Sequence, residues 1–185
     1  GRAERFAAWG ASLGLVGLVL AQQPGRGLPE TKLEVTLDPV RSLGRALSAW
    51  DPSAGFGRIQ NQAVGYLLPM GPFSAAGRAV GLPAWVTQRL WIGAILVVGF
   101  LGARALARAL GMHGPGPVVA GLAYTLAPAS MATVAFQSAG QLPYAFAPWV
   151  LVPLVSGRAA TPRQAAARSA LAVALMGGVN GTATL

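Results

Sequence analysis

Four of the five acidic residues, Glu30, Glu34, Asp38 and Asp51, fall in one stretch, and the only lysine, Lys32, sits among them. Packing does not require such a concentration. From Lys32 to Asp38 the run KLEVTLD alternates strictly, with Leu33, Val35 and Leu37 on one side and Lys32, Glu34, Thr36 and Asp38 on the other. Period-two alternation predicts an extended segment with one buried face. If the segment were helical, Glu34 and Asp38 would still share a face at i, i+4. In both cases the carboxylates point together, and Pro39 ends the pattern. A carboxylate held within about 3 Å of a hydroxyl proton can act as a general base, and a neighbouring cation can neutralise a phosphate leaving group. The polar face therefore suits transfer from a lipid phosphate. It equally fits a solvated hairpin edge, with a Lys–Glu pair worth under about 1 kcal/mol.

Further polar groups follow. GRIQNQAVGYLLPMGPF brings Gln60, Asn61, Gln62 and Tyr66 ahead of a Pro-Met-Gly-Pro turn. The amides could bind sugar hydroxyls or simply meet solvent. Arg89 lies one turn into an apolar run, where it is either a snorkelling anchor or a phosphate contact. His113, in the turn GMHGPGP, has no His, Cys or acid nearby and reads as a loop residue. A single histidine and no cysteine argue against a Ser-His-Asp triad, a Cys-ligated zinc and an iron–sulfur cluster. No metal site is expected. A divalent ion could bridge phosphate and carboxylates through oxygen ligands, but nothing in the sequence fixes one.

The elements that must carry these residues are membrane helices. Of 185 residues, 54% are hydrophobic and only 10% charged, against roughly 25% charged in soluble domains. The formal charge is +9, yet the arginines punctuate apolar runs instead of forming a stripe. Lipid headgroups, not nucleic acid, are the partners this implies. A span needs about 20 mainly apolar residues. Five candidates are visible, at about 6–21, 85–106, 117–134, 143–155 and 164–185. Pro148 and Pro153 predict that the fourth is broken or tilted. The run 22–84 forms a long loop with two interfacial helices, Arg41–Trp50 (RSLGRALSAW) and about Asn61–Leu68. With five spans, Arg2, Arg5, Arg104, Arg108, Arg158, Arg163 and Arg168 all fall on one side, while residues 135–142 carry no Lys or Arg. The positive-inside rule then places the amino terminus in the cytoplasm and the 22–84 loop outside. The chain starts without Met and stops inside the apolar segment MGGVNGTATL, as the amino-terminal piece of a longer multi-span protein would.

The ordered strings ETKLEVTLDP, LSAWDP, QNQAVGYLLPMGPF, GLPAWVTQRLW, AGLAYTLAP and APWVLVPLV resemble the actinobacterial membrane α-(1→3)-arabinofuranosyltransferases, large glycosyltransferases of the GT-C type. The likeness covers nearly all of the chain from Glu30 onward. It implies an all-α, multi-span GT-C core in the plasma membrane. The implied donor is decaprenyl-phosphate arabinofuranose, and the implied acceptor is cell-wall arabinan outside the membrane. GT-C enzymes keep an essential acid in the first outer loop, where this chain has Glu34 and Asp38; the family pattern has Asp where Glu34 stands. On this reading Lys32 and Arg89 stabilise the departing phosphate, and Gln60, Asn61, Gln62 and Tyr66 hold the acceptor sugar. The 135–142 loop offers only Gln137, Ser138 and Gln141 as polar groups. Two rival readings are a flippase of polyprenyl-linked sugars and a membrane subunit without chemistry. A flippase would place charges near the bilayer midplane in repeated halves, and no half-repeat is visible.

Overall fold

A computed structural model describes residues 2–31, 33–48, 50–52, 56–59, 66, 68–157 and 161–177. Among them the architecture is helical, apart from a two-residue antiparallel ladder joining β1 (Trp50–Asp51) to β2 (Arg58–Ile59). The long helices are α1 (Arg2–Ala21), α5 (Ala84–Ala109) and α8 (Gln141–Val155). Between α1 and α5 lie α2 (Glu34–Leu37), α3 (Pro39–Ala46) and α4 (Met70–Ala79). Then α6 (Gly116–Thr125) and α7 (Pro128–Val134) precede a 3-10 turn, Ser138–Gly140, and α9 (Pro162–Ala174) ends the described chain.

α5 is the axis of the bundle, packed by α1, α6 and α8. Its apolar run has no interior breaker, and Pro83 precedes its first turn. Its end is a Schellman motif, in which Met112 N donates to Ala107 O at 3.0 Å and Gly111 N to Arg108 O at 3.2 Å. That closure puts Gly111 at φ +91°, a conformation glycine adopts without strain. Twenty-six residues at 1.5 Å each span about 39 Å, more than the roughly 30 Å of a hydrocarbon core. Ile92, Ile95, Leu96 and Phe100 on α5 are buried against Leu15 and Val19 of α1, Val118 of α6 and Leu142 and Ala145 of α8. Small residues let the backbones close in. A Cβ on Gly121 would come 2.7 Å from the Phe100 carbonyl oxygen, and one on Gly102 would come 2.6 Å from the Trp149 indole nitrogen.

α1 runs antiparallel to α5, because Glu4 Oε1 meets Arg104 Nη2 at 2.9 Å and Arg108 Nη1 at 3.8 Å. Among the described residues two helices, α1 and α5, are long and apolar enough to cross a membrane, or three if α6 and α7 count as one bent span. α8 and α9, with 15 and 13 residues, are shorter than a perpendicular span requires.

The structure departs from the sequence expectations in several places. From Leu33 to Leu37 the KLEVTLD run is not extended: Glu34–Leu37 is a single helical turn, Val35 and Thr36 are buried, and Leu37 is 55% exposed. Asp38 leaves the helical region at φ −138° and caps α3 instead, accepting from Arg41 N at 3.3 Å, with Pro39 at the first helical position. An Asp-Pro pair is a strong helix start, and here it overrides the alternation. The interfacial helix expected over Arg41–Trp50 covers Pro39–Ala46, and Trp50 belongs to the ladder. The expected Pro-Met-Gly-Pro turn is the first turn of α4. The end of α4 reaches back, with Arg78 Nη1 donating to Leu37 O at 2.9 Å. The expected helix over 61–68 lies largely outside the described residues, as do Arg158 and residues 178–185.

The third span is not one rod. α6 and α7 meet at 49°, because Ala127 precedes Pro128 and sits extended at ψ 138°. The fourth helix, by contrast, runs unbroken through Pro148 and Pro153. One turn before the bend, Tyr124 stacks on Tyr144 of α8 with ring centroids 4.3 Å apart and planes within 2°. Each hydroxyl donates to the other residue's carbonyl, at 2.7 and 2.8 Å.

Candidate active site

At the end of the bundle opposite Glu4, three separate stretches of chain converge: residues 26–31 after α1, the first turns of α5, and the turn between α7 and α8. Gln88 on α5 treats the 26–31 stretch as a strand partner. Its Oε1 accepts from Leu28 N at 2.7 Å, and its Nε2 donates to Leu28 O at 3.1 Å and to Glu30 Oε2 at 3.4 Å. Glu30, only 6% exposed, accepts from both the backbone N–H (3.2 Å) and the hydroxyl of Ser138. Trp91, one turn along α5, donates its indole N–H to the same hydroxyl at 2.9 Å. Thr31 N and Oγ1 both donate to Phe136 O, at 3.1 and 3.0 Å. Burial pushes the Glu30 carboxyl above the usual glutamate range, against the pull of the Ser138 and Gln88 donors.

Arg89 lies beside this network and is the most deeply enclosed charge, at 1% exposure. Its Nη2 donates to Arg26 O at 3.3 Å, while Nε and Nη1 have no partner. A snorkelling arginine would carry its head to water; this one does not. A desolvated guanidinium with open donors calls for an anion, and planar N–H pairs match phosphate oxygens.

Tyr66, also buried, is pushed up by burial first and then by the charges of Glu30 and Glu34. Both carboxylates are therefore near enough to oppose phenolate formation, and Tyr66 stays a hydrogen-bond donor. Glu34 is exposed at the start of α2. Asp38 is half-buried and occupied as the cap of α3. Lys32, Gln60, Asn61 and Gln62 lie outside the described residues, and so does the side chain of Asp51. Among the described residues no three His, Asp or Glu side chains gather closely enough to hold a metal ion.

From the sequence reading the structure thus places Tyr66 within electrostatic reach of Glu34 and encloses Arg89 at the same end of the bundle, and it adds Glu30, Gln88, Trp91 and Ser138. A signal for these existed in the adjacent Gln88–Arg89 pair, two polar residues inside an apolar helix. Ser138 was one of three polar groups in a loop without charge.

A helical membrane bundle that gathers buried polar groups at one end is the class of protein that this fold and site define. A family model described as "Alpha-(1->3)-arabinofuranosyltransferase, N-terminal GT-C domain" matches residues 14–185, and the chain belongs to that family. It is 46% identical over 186 residues to the alpha-(1->3)-arabinofuranosyltransferase of Mycobacterium tuberculosis, covering 96% of this chain and 13% of the relative. It is likewise 46% identical over 171 residues to that of Mycolicibacterium smegmatis, covering 91% of this chain and 12% of the relative. A solved structure, the cryo-EM structure of arabinofuranosyltransferase AftD from mycobacteria, superposes with a TM-score of 0.86 at 44% identity, over 99% of this chain and 14% of that one. The chain therefore spans about an eighth of the curated relatives it matches.

Proposed function

We propose that the protein containing this chain transfers arabinofuranose from a polyprenyl-phosphate donor to cell-wall arabinan at the outer face of the plasma membrane. The observation that carries this reading is Arg89: a buried guanidinium with two open nitrogens, at the end of the bundle where Glu34 and Tyr66 also lie. The donor phosphate supplies the missing anion, and the polyprenyl tail runs between the apolar helices. With the amino terminus in the cytoplasm, α1 carries the chain across the membrane and puts this end outside. The amphipathic α3, with Arg41 and Arg45 on its polar side, lies in the interface there.

The transfer is a single inverting displacement. An acceptor arabinose hydroxyl oxygen attacks the anomeric carbon of the donor as its proton passes to the Glu34 or Asp38 carboxylate. The bond from that carbon to the phosphate oxygen breaks, and its electron pair leaves with the polyprenyl phosphate, held by Arg89 and Lys32. Tyr66 donates to a sugar hydroxyl, alongside Gln60, Asn61 and Gln62. Glu34 is the better base, since its carboxylate is exposed whereas that of Asp38 is engaged by Arg41 N.

The test is a membrane assay with radiolabelled lipid-linked arabinose and the full-length protein. E34Q is expected to lower transfer by about 10²-fold or more. D38N is expected to keep it, because Asn caps a helix as well as Asp does. Transfer retained by both variants refutes a carboxylate base in this segment. A wild-type protein that moves no arabinose from this donor refutes the function.

A further inference from the structure

We infer that Glu30 is a positioning residue for the transfer site, a carboxyl group that locks the chain between Arg26 and Thr31 into one register across α5 and the turn before α8. The inference rests on the proposed transfer reaction and adds a residue to which that reaction assigns no role.

The argument is one of donors and acceptors. An indole N–H only donates, so Trp91 makes the Ser138 oxygen an acceptor and turns the Ser138 hydroxyl proton toward Glu30. The backbone N–H of Ser138 also only donates, to the same carboxylate oxygen. Gln88 has no freedom to flip. Its Oε1 must face Leu28 N, so its Nε2 faces Leu28 O and Glu30 Oε2. Three donors thus converge on Glu30, of which the Ser138 backbone N–H and the Gln88 amide, held by its two bonds to Leu28, cannot become acceptors. An ionised carboxylate accepts only and satisfies all three. A glutamine in its place would turn an NH2 toward one of them and leave two donors face to face in a buried site.

The lock has consequences on both sides. Upstream, Arg26 O sits on Arg89 Nη2, so the stretch that Glu30 fixes also sets which Arg89 nitrogens stay open. Downstream, Thr31 is tied to Phe136 O, and three residues later Glu34 begins α2. Loosening position 30 lets the phosphate contact and the base drift relative to each other. A misplacement of about 1 Å can cost about 10²-fold in rate. Donor binding, which needs Arg89 and not Glu34, suffers less.

The experiment compares wild type, E30Q, E30D and S138A in the full-length protein in nanodiscs. Two readouts are taken: steady-state transfer from a synthetic polyprenyl-phosphate arabinofuranose, and amide hydrogen exchange. E30Q is expected to lower kcat by about 10- to 100-fold with the donor KM within about twofold, E30D to recover most of the loss, and S138A to fall between. In E30Q the amides of Thr31 and Ser138 should exchange at least about tenfold faster, with α9 unchanged. If E30Q keeps both kcat and exchange protection while wild type transfers normally, the inference is overturned and the transfer reading stands. If kcat falls without faster exchange, Glu30 acts in the chemistry and the positioning role is overturned. If wild type transfers nothing, the functional reading fails, and unaltered exchange in E30Q separately overturns the lock.

Discussion

Glu4 and Arg104, a hundred residues apart in sequence, meet at 2.9 Å across the seam of α1 and α5, with both side chains largely enclosed. Arg104 Nε has no partner, so this guanidinium depends on Glu4 for its neutralisation. Removing one partner of an enclosed pair leaves the other charge uncompensated. E4Q should therefore destabilise the protein by about 1–3 kcal/mol, and E4Q combined with R104M by less than the sum. A double-mutant cycle on thermal unfolding in detergent checks the coupling.

Glu30 gives stability a pH dependence of definite sign. Its folded-state pKa lies above the ordinary glutamate value of 4.5, so in that window the folded protein holds a proton that the unfolded chain has released. The contribution is fully present below pH 4.5 and is lost as pH rises through the folded-state value. Wild-type unfolding temperature should fall across this window relative to E30Q, which has no carboxyl to titrate. Parallel profiles for the two proteins would contradict the expectation.

Arg89 predicts a separation of stability from binding. A buried cation without an anion costs several kcal/mol, so R89M should leave the ligand-free protein as stable as wild type or more so. The same change should remove the thermal stabilisation that polyprenyl phosphate gives the wild type, with about a 10²-fold loss of affinity, or about 3 kcal/mol. Scans with and without the lipid phosphate read both effects.

Gly121 tests the packing of α6 on α5. A methyl there would press on the Phe100 carbonyl, which is backbone and cannot rotate away. G121A should cost about 1–3 kcal/mol and reduce accumulation in membranes, whereas G10A, with nothing near its Cβ, should not. Quantifying the two variants in isolated membranes separates them.

The membrane helices were legible because hydropathy registers length and apolarity, and α1 and α5 have both. The segment 32–38 was misread because its alternation is real but local. The Asp38-Pro39 cap is a nearby signal that outweighs it, and the burial of Thr36 depends on α4 and α5, which lie far along the chain. Arg89 could be singled out, but its enclosure, which disfavours a snorkelling anchor, could not be read from spacing. Glu30 stood in plain view among four acids, yet its weight comes from Ser138, 108 residues on, and no spacing rule spans that distance. Lys32, Gln60, Asn61 and Gln62 lie outside the described residues, and their roles stay within the proposed function.

The reciprocal clasp of Tyr124 and Tyr144 makes the kink between α6 and α7 something other than a loose joint. Opening it would cost two hydrogen bonds and a ring contact at once, so α6 and α8 should swing as one body. Any lateral gate admitting a lipid tail near this kink would have to hinge at Ala127, on the α7 side of the clasp.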